Sequence, residues 1–291
     1  MAQINSQYRL RSSAFERLEE ENLVEPKKVV FLSVEGDETE RTYCTHLNET
    51  LDSSIIHIEV LRHRRGDGYS DPIHVIELLQ EFLDMRQGSL IPNEILNEVI
   101  TKYSDETIQT YIATPDKLDQ RLKNNIQSDL LLLGIDVEYR RYLQKYDKST
   151  DIFGVVLDRD CGSHSRDVME NSIKYCQENG VYCYVSNPCF EFWLLLHLCD
   201  VMAEFGDAER KQLLLNPKIS DHHTQVSFEV SKRAHHSKKI PQTVFMAKYH
   251  PNIEIAIVRS SNFALHFPEL LDKLGTNIPE LLELIGVCSA T

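Results

Sequence analysis

The sequence predicts an α/β fold in which parallel central strands are flanked by helices, with a helical insertion and a helical C-terminal region. Two long apolar runs carry the prediction. Val29 to Val34 reads Val-Val-Phe-Leu-Ser-Val, and Ile152 to Leu157 reads Ile-Phe-Gly-Val-Val-Leu. Near-continuous apolar runs of this length mark strands buried on both faces. Each run ends in an acid and is followed by a segment with helical spacing, the alternation that builds a parallel sheet.

Residues 1–26 are polar and charged and read as an N-terminal arm, although Arg9 to Glu21 has helical character. The first strand is expected over Lys28–Val34 and its helix over Glu38–Asn48. A second strand at Ile55–Leu61 leads into Arg62-His63-Arg64-Arg65. The loop Gly66 to Pro72 follows, where Ser70 or Asp71 can cap a helix with Pro72 in its first turn. That helix, Ile73 to Met85, carries apolar residues close to helical spacing. Residues 86–150 are mostly polar and helix-prone, clearest over Lys117 to Tyr146, and read as an insertion between two core strands. The core resumes at Asp151–Leu157. A helix over Arg166–Asn179 ends at Gly180. A strand at Val181–Val185 follows, then a turn at Ser186-Asn187-Pro188. Phe190 to Leu198 is an apolar helix that holds the only tryptophan, Trp193. The remainder reads as helical, clearest over Glu254–Ser260 and Pro268–Ile285. One domain over 27–285 is expected, with the insertion at about 86–150 and a short tail at 286–291.

The 291 residues are 42% hydrophobic and 26% charged, ordinary values for a globular protein. No apolar run approaches the ~18 residues of a membrane span, and no apolar signal core opens the chain. The seven cysteines form no C-x-x-C pair, which fits reduced thiols and a cytoplasmic location. A net charge of −14 argues against a protein that simply coats nucleic acid. It leaves room for a nuclease, whose metal-holding carboxylates add to the deficit.

Glu35 closes the first strand. Asp158 and Asp160 close the strand at Asp151–Leu157. Ligand sites in open α/β sheets lie at the carboxyl ends of parallel strands. Phosphodiester cleavage needs charge neutralised at the phosphate and at the attacking and leaving oxygens, and Mg²⁺ or Mn²⁺ held by carboxylates does this. In an extended segment Asp158 and Asp160 would point the same way. Glu40, in the first turn of the next helix, could add a contact. Each motif also has a bland reading, Glu-Gly as a turn and Asp-x-Asp as a solvated loop or cap. Their joint occurrence after two buried strands favours a divalent-metal site.

Glu35-Gly36-Asp37-Glu38-Thr39-Glu40 with Tyr43, then Leu157-Asp158-Arg159-Asp160, then Ser186 to His197 around Pro188-Cys189-Phe190-Glu191-Phe192-Trp193, resemble the RloB-like (AbiLii-like) proteins. The resemblance covers roughly 28–84 and 151–285. It implies a Toprim-type catalytic fold similar to the nucleases of OLD-type phage defence. Carried over by position, it makes Glu35 a metal ligand or acid/base, Asp158 and Asp160 metal ligands, and Glu40 the second acid of its string. Glu191 becomes a further acid near the site, against a structural reading as the N-terminal charge of its helix. It also implies a Mg²⁺-dependent endonuclease of abortive-infection type, cutting DNA or RNA (tRNA among the candidates) and controlled by an ABC-type ATPase. A homodimer is left open. The alternative is a non-catalytic adaptor that keeps the scaffold.

Residues 222–250 reverse the local charge with Lys232, Arg233, Lys238, Lys239 and Lys248 against Glu229. They read either as a phosphate-contacting face or as a solvated loop. Lys248 could stabilise charge on a phosphate. Arg62, Arg64 and Arg65 are a second candidate contact. The His222-His223 and His235-His236 pairs lack the i, i+4 spacing of a zinc helix. Gly66-x-Gly68 lacks the rest of a nucleotide fingerprint, so ATP hydrolysis by this chain is not expected.

Overall fold

In a computed structural model, residues 28–36, 38–52, 56–61, 72–133, 135, 137–145 and 151–287 are described. The apolar run at the start of the chain forms β1 (Lys28–Val34), with every side chain from Val29 to Val34 buried. It is followed by α1 (Thr39–Asn48), β2 (Ile56–Leu61) and α2 (Pro72–Gln87). Next come four helices, α3 (Asn93–Tyr103), α4 (Asp105–Ala113), α5 (Gln120–Leu132) and α6 (Val137–Lys145). The sheet resumes with β3 (Ile152–Asp158), α7 (Arg166–Glu178) and β4 (Tyr182–Asn187). Helices α8 (Phe190–Leu198), α9 (Val201–Glu204), α10 (Asp207–Leu215) and α11 (Gln225–Ala234) follow. The chain then runs through α12 (Gln242–Val244), a π-helical turn at Phe245–Tyr249, α13 (Ile253–Ser260), β5 (Gly275–Thr276) and α14 (Ile278–Leu284).

Two compact units result. One lies within residues 80–149 and has its own core, built on Val99, Ile108, Tyr111, Ile126 and Leu130. The other carries the sheet, ordered β2-β1-β3-β4-β5. The first four strands are parallel and β5 is antiparallel to β4. Chain order therefore reverses between β1 and β3. β1 leads outward to β2, and the chain returns to place β3 on the other side. The carboxyl ends of β1 and β3 therefore flank the switch point at which open α/β sheets bind ligands.

Helix α8 is apolar nearly all round, and a helix of that kind has to be buried on all sides. Phe192 to Leu196 are fully buried, and the helix packs on β4, α11 and α13. Its two polar members are both accounted for. His197 Nδ1 donates to Trp193 O at 2.9 Å, and its Nε2 lies 3.3 Å from the Tyr43 hydroxyl. Burial holds the His197 imidazole down at about 3, so it stays neutral. Glu191, in the first turn, faces a cavity.

Two expectations are corrected. Ser186 and Asn187 are not a turn but the last residues of β4, paired with Thr276 and Gly275. Nor is Pro268–Ile285 one helix, because it contains a 3₁₀ turn, β5 and α14. Long-range bonds override the local polarity. Ser186 Oγ and Thr276 Oγ1 are 2.8 Å apart, and Asn187 Nδ2 donates to Leu270 O.

Gly275 lies against the backbone of Ala264 so closely that an added Cβ would collide with the Ala264 carbonyl. Gly275→Ala is therefore expected to lose about 2–3 kcal/mol of stability in urea denaturation. Gly206→Ala, where a Cβ makes only ordinary contact, should change it by less than about 1 kcal/mol.

Candidate active site

Glu35 follows the last residue of β1, and its amide donates to Val156 O of the neighbouring strand at 3.0 Å. The side chain turns toward β3. Its Oε2 accepts from the Asp158 amide at 2.9 Å and its Oε1 from His164 Nε2 at 3.0 Å. Both oxygens are thus anchored, on a residue 9% exposed. His164 is buried, and its own carbonyl accepts from Arg159 Nη1 at 2.7 Å. Arg159 also donates to Leu271 O, so this buried guanidinium ties the loop after β3 to the C-terminal region.

Three more acids lie around Glu35. Asp158 Oδ1 accepts from the Phe190 amide at 2.8 Å, which joins the end of β3 to the N-terminus of α8. Glu40 sits in the first turn of α1, 4% exposed. Its carboxylate occupies the space beside Gly36 where any other residue would place a Cβ. Glycine in the Glu-Gly pair therefore makes room for the second acid. Glu191 completes the group from the first turn of α8.

The electrostatics of the group are one-sided. Burial first, then Glu191 and Glu35, push the Glu40 carboxyl up to about 8, against backbone hydrogen bonds from Glu40 and Gly36. Burial, then Glu40, Glu35 and Glu191, push Asp158 well above the usual carboxylate range, opposed by the Phe190 amide. Like charges held together out of water favour protonation or a shared cation. Carboxylate oxygens are hard donors that suit Mg²⁺ or Mn²⁺ in kind. Among the described residues, no group of three or more His, Cys, Asp or Glu is already arranged to hold a metal ion.

Asp160 departs from the expected alternation. β3 ends at Asp158, and Asp160 has φ +20°. Its amide donates to Pro188 O, while its carboxylate accepts from Ser163 Oγ at 2.8 Å and from the Gly162 amide at 3.3 Å. The side chain therefore organises its own turn. It still lines the same cavity as Asp158 and Glu191.

That cavity measures about 810 Å³. A hairpin between α10 and α11 forms part of its wall, with Lys218 bridged to Thr224 in antiparallel fashion. Asn216, in the left-handed conformation after α10, anchors the hairpin. Its Oδ1 accepts from the Val226 amide, and its Nδ2 lies 3.5 Å from Cys189 Sγ, next to Glu191. Lys218, Asp221, His222, His223 and Lys238 line this side, together with His236. His236 Nε2 and the Tyr249 hydroxyl are 2.5 Å apart.

The other basic candidates are distributed differently. Lys248 Nζ donates to Arg233 O at 2.6 Å and so closes the C-terminus of α11. Arg233 pairs with Glu229 and with Glu204. Lys232 and Lys239 are exposed, and neither is among the described residues that line the cavity. Arg62, Arg64 and Arg65 lie outside the described residues. Sequence reasoning missed His164 and the 217–224 hairpin. A lone histidine six residues beyond Asp158 carries no signal of its contact with Glu35, and the hairpin has no periodicity.

Among the described residues, no helix is long and apolar enough to cross a membrane. A family model described as RloB-like protein matches residues 30–285. No curated protein and no solved structure matches the chain.

The raised Glu40 carboxyl has a definite linkage sign. Between pH 4.5 and about 8 the folded chain holds a proton there that the unfolded chain has released. The contribution of this group to stability is then fully present below pH 4.5 and is lost as pH rises through that window. In EDTA, Glu40→Gln should remove a slope of up to about 1.4 kcal/mol per pH unit from urea-denaturation data. An unchanged slope would place the proton elsewhere.

Proposed function

The chain belongs to the RloB-like protein family, and from that premise we propose that it is a divalent-metal-dependent nuclease that hydrolyses phosphodiester bonds. The observation that carries this reading is the convergence of Glu35, Glu40, Asp158 and Glu191, from two strand ends and two first helical turns, on one buried site. Their mutual repulsion supports a cation as the missing charge. Glu35, Asp158, Glu40 and Glu191 are the residues that would hold it, with Asp160 close by on the cavity wall. Bound Mg²⁺ or Mn²⁺ would polarise the phosphate and lower the pKa of water.

The chain's own groups have separable roles. Glu35 is fixed by the Asp158 amide and His164, so one of its oxygens can hold or take up a proton at a set place. Asp158 keeps its carboxylate aimed into the site by capping α8. The N-terminus of α8 adds positive potential on the same side. Burial of the cluster excludes bulk water, which strengthens each of these interactions.

The resemblance of Glu35 to Glu40, of Leu157 to Asp160 and of Ser186 to His197 to Toprim nucleases of phage defence supports a role in abortive infection. In that role an ABC-type ATPase would be the controlling partner. Copurification with the products of neighbouring genes tests the partner, and loss of phage protection by Glu35→Gln tests the role.

Cleavage of plasmid, single-stranded DNA and tRNA in Mg²⁺ or Mn²⁺ tests the reaction. Asp158→Asn keeps an acceptor for the Phe190 amide, so the fold should survive. Its rate is expected to fall about 10²-fold or more. Equal rates for wild type and Asp158→Asn would remove the proposed site. Mg²⁺ should also raise the midpoint of urea denaturation near pH 8 in the wild type, and do so less in Glu40→Gln.

A further inference from the structure

The carboxylates are not surface groups. Glu40 and Glu35 are 4% and 9% exposed, and Asp158 and Glu191 are reached through the 810 Å³ cavity. That volume lies within the roughly 300–1,000 Å³ of pockets that enclose one small ligand. A short stretch of one strand fills a cavity of that size, whereas a duplex brings two backbones and is stiff over about 150 base pairs.

The rest of the cavity lining suits a single strand. The hairpin 217–224 is pinned at its base by Asn216 and closed by bonds from the Ile219 and Ser220 amides to His223 O. Lys218 on the hairpin and Lys238 face the cavity, with Asp221 as the hairpin's acid. On α11, just outside the cavity that Ser227 and His223 line, Phe228 is 41% exposed, and the half-buried His223 ring stands edge-on to it at 6.3 Å. Cations that follow a backbone, next to exposed aromatic faces, are how proteins hold unpaired bases.

We propose that the substrate is unpaired nucleic acid. One strand passes between the acids and the hairpin, its bases stack on Phe228 and His223, and Lys218 and Lys238 hold flanking phosphates. This rests on the nuclease reading of the same site and adds its substrate class. In the cleavage step a water oxygen bonds to phosphorus and loses a proton. The bond from phosphorus to the leaving oxygen breaks, and that oxygen keeps the electron pair and gains a proton.

Fluorescence anisotropy in Ca²⁺, with oligothymidylate, oligouridylate and a blunt duplex as probes, tests binding apart from cleavage. Unpaired probes are expected to bind about tenfold or more tighter than the duplex, and the first two probes distinguish DNA from RNA. Phe228→Ala should weaken that binding by about tenfold, the size of one lost base stack. A Lys218→Ala/Lys238→Ala double variant should weaken it and flatten its salt dependence. Duplex binding as tight as that of the unpaired probes, or wild-type affinity in both surface variants, overturns the proposal. Asp158-dependent cleavage of duplex alone would overturn the substrate class and leave the nuclease reading standing. Phe228-dependent binding of unpaired strands without cleavage in Mg²⁺ or Mn²⁺ would do the reverse.

Discussion

One hydrogen bond, from the Phe190 amide to the Asp158 carboxylate, joins the sheet to the helix that fills its core. It sets the level of α8 against β3, and with it the place of Glu191. The same bond favours the ionised form of Asp158. Burial and three carboxylates oppose it and win. Glu35 reads the same junction from the other side by accepting the Asp158 amide. Two adjacent parallel strands and one helix N-terminus are thereby locked into a single polar corner. The reversal of chain order between β1 and β3 is what leaves that corner open to ligand.

The parts of this arrangement that were legible in the sequence are those with a dense local signal. β1, β3 and α8 announce themselves as near-continuous apolar runs, and Glu35 and Asp158 are placed by the ends of the first two. The alternation expected to carry Asp160 beside Asp158 fails because it holds only while the strand lasts, and the backbone turns at Asp160 itself, although both line one cavity. Ser186 and Asn187 looked like a turn because their polar side chains are satisfied by Thr276 and Leu270, 83 to 90 residues away. β5 has two residues, too few for any period. His164 was invisible for the same reason as Ser186, since its meaning lies in a contact with Glu35 across 129 residues.

Basic residues show the limit of composition more sharply. A segment rich in Lys, Arg and His within an acidic chain invites one reading for all of its members. The structure divides them. Arg233 is occupied by Glu229 and Glu204, and Lys248 closes α11. Lys238 faces the cavity, joined there by Lys218 from outside the segment. A chain of net charge −14 repels polyanions at long range, so attraction must act within about a Debye length, ~8–10 Å in physiological salt. Lys218 and Lys238 line the same cavity as Asp158 and Glu191, so their attraction acts where a phosphate would sit rather than over the whole surface.

The acidic corner is costly, and its cost is bounded by what the core supplies. A shift of Glu40 from 4.5 to about 8 disfavours its ionised form by roughly 5 kcal/mol. Two fully buried leucines, at about 1.5–3 kcal/mol each, return a similar amount, and α8 buries Leu194, Leu195 and Leu196 beside Trp193 and Phe192. The largely apolar character of α8 and the crowding of acids at its N-terminus are therefore linked. The helix stabilises the fold enough to hold four carboxylates where they repel one another. A cation bound there would offset the repulsion among the acids and so regain part of that energy.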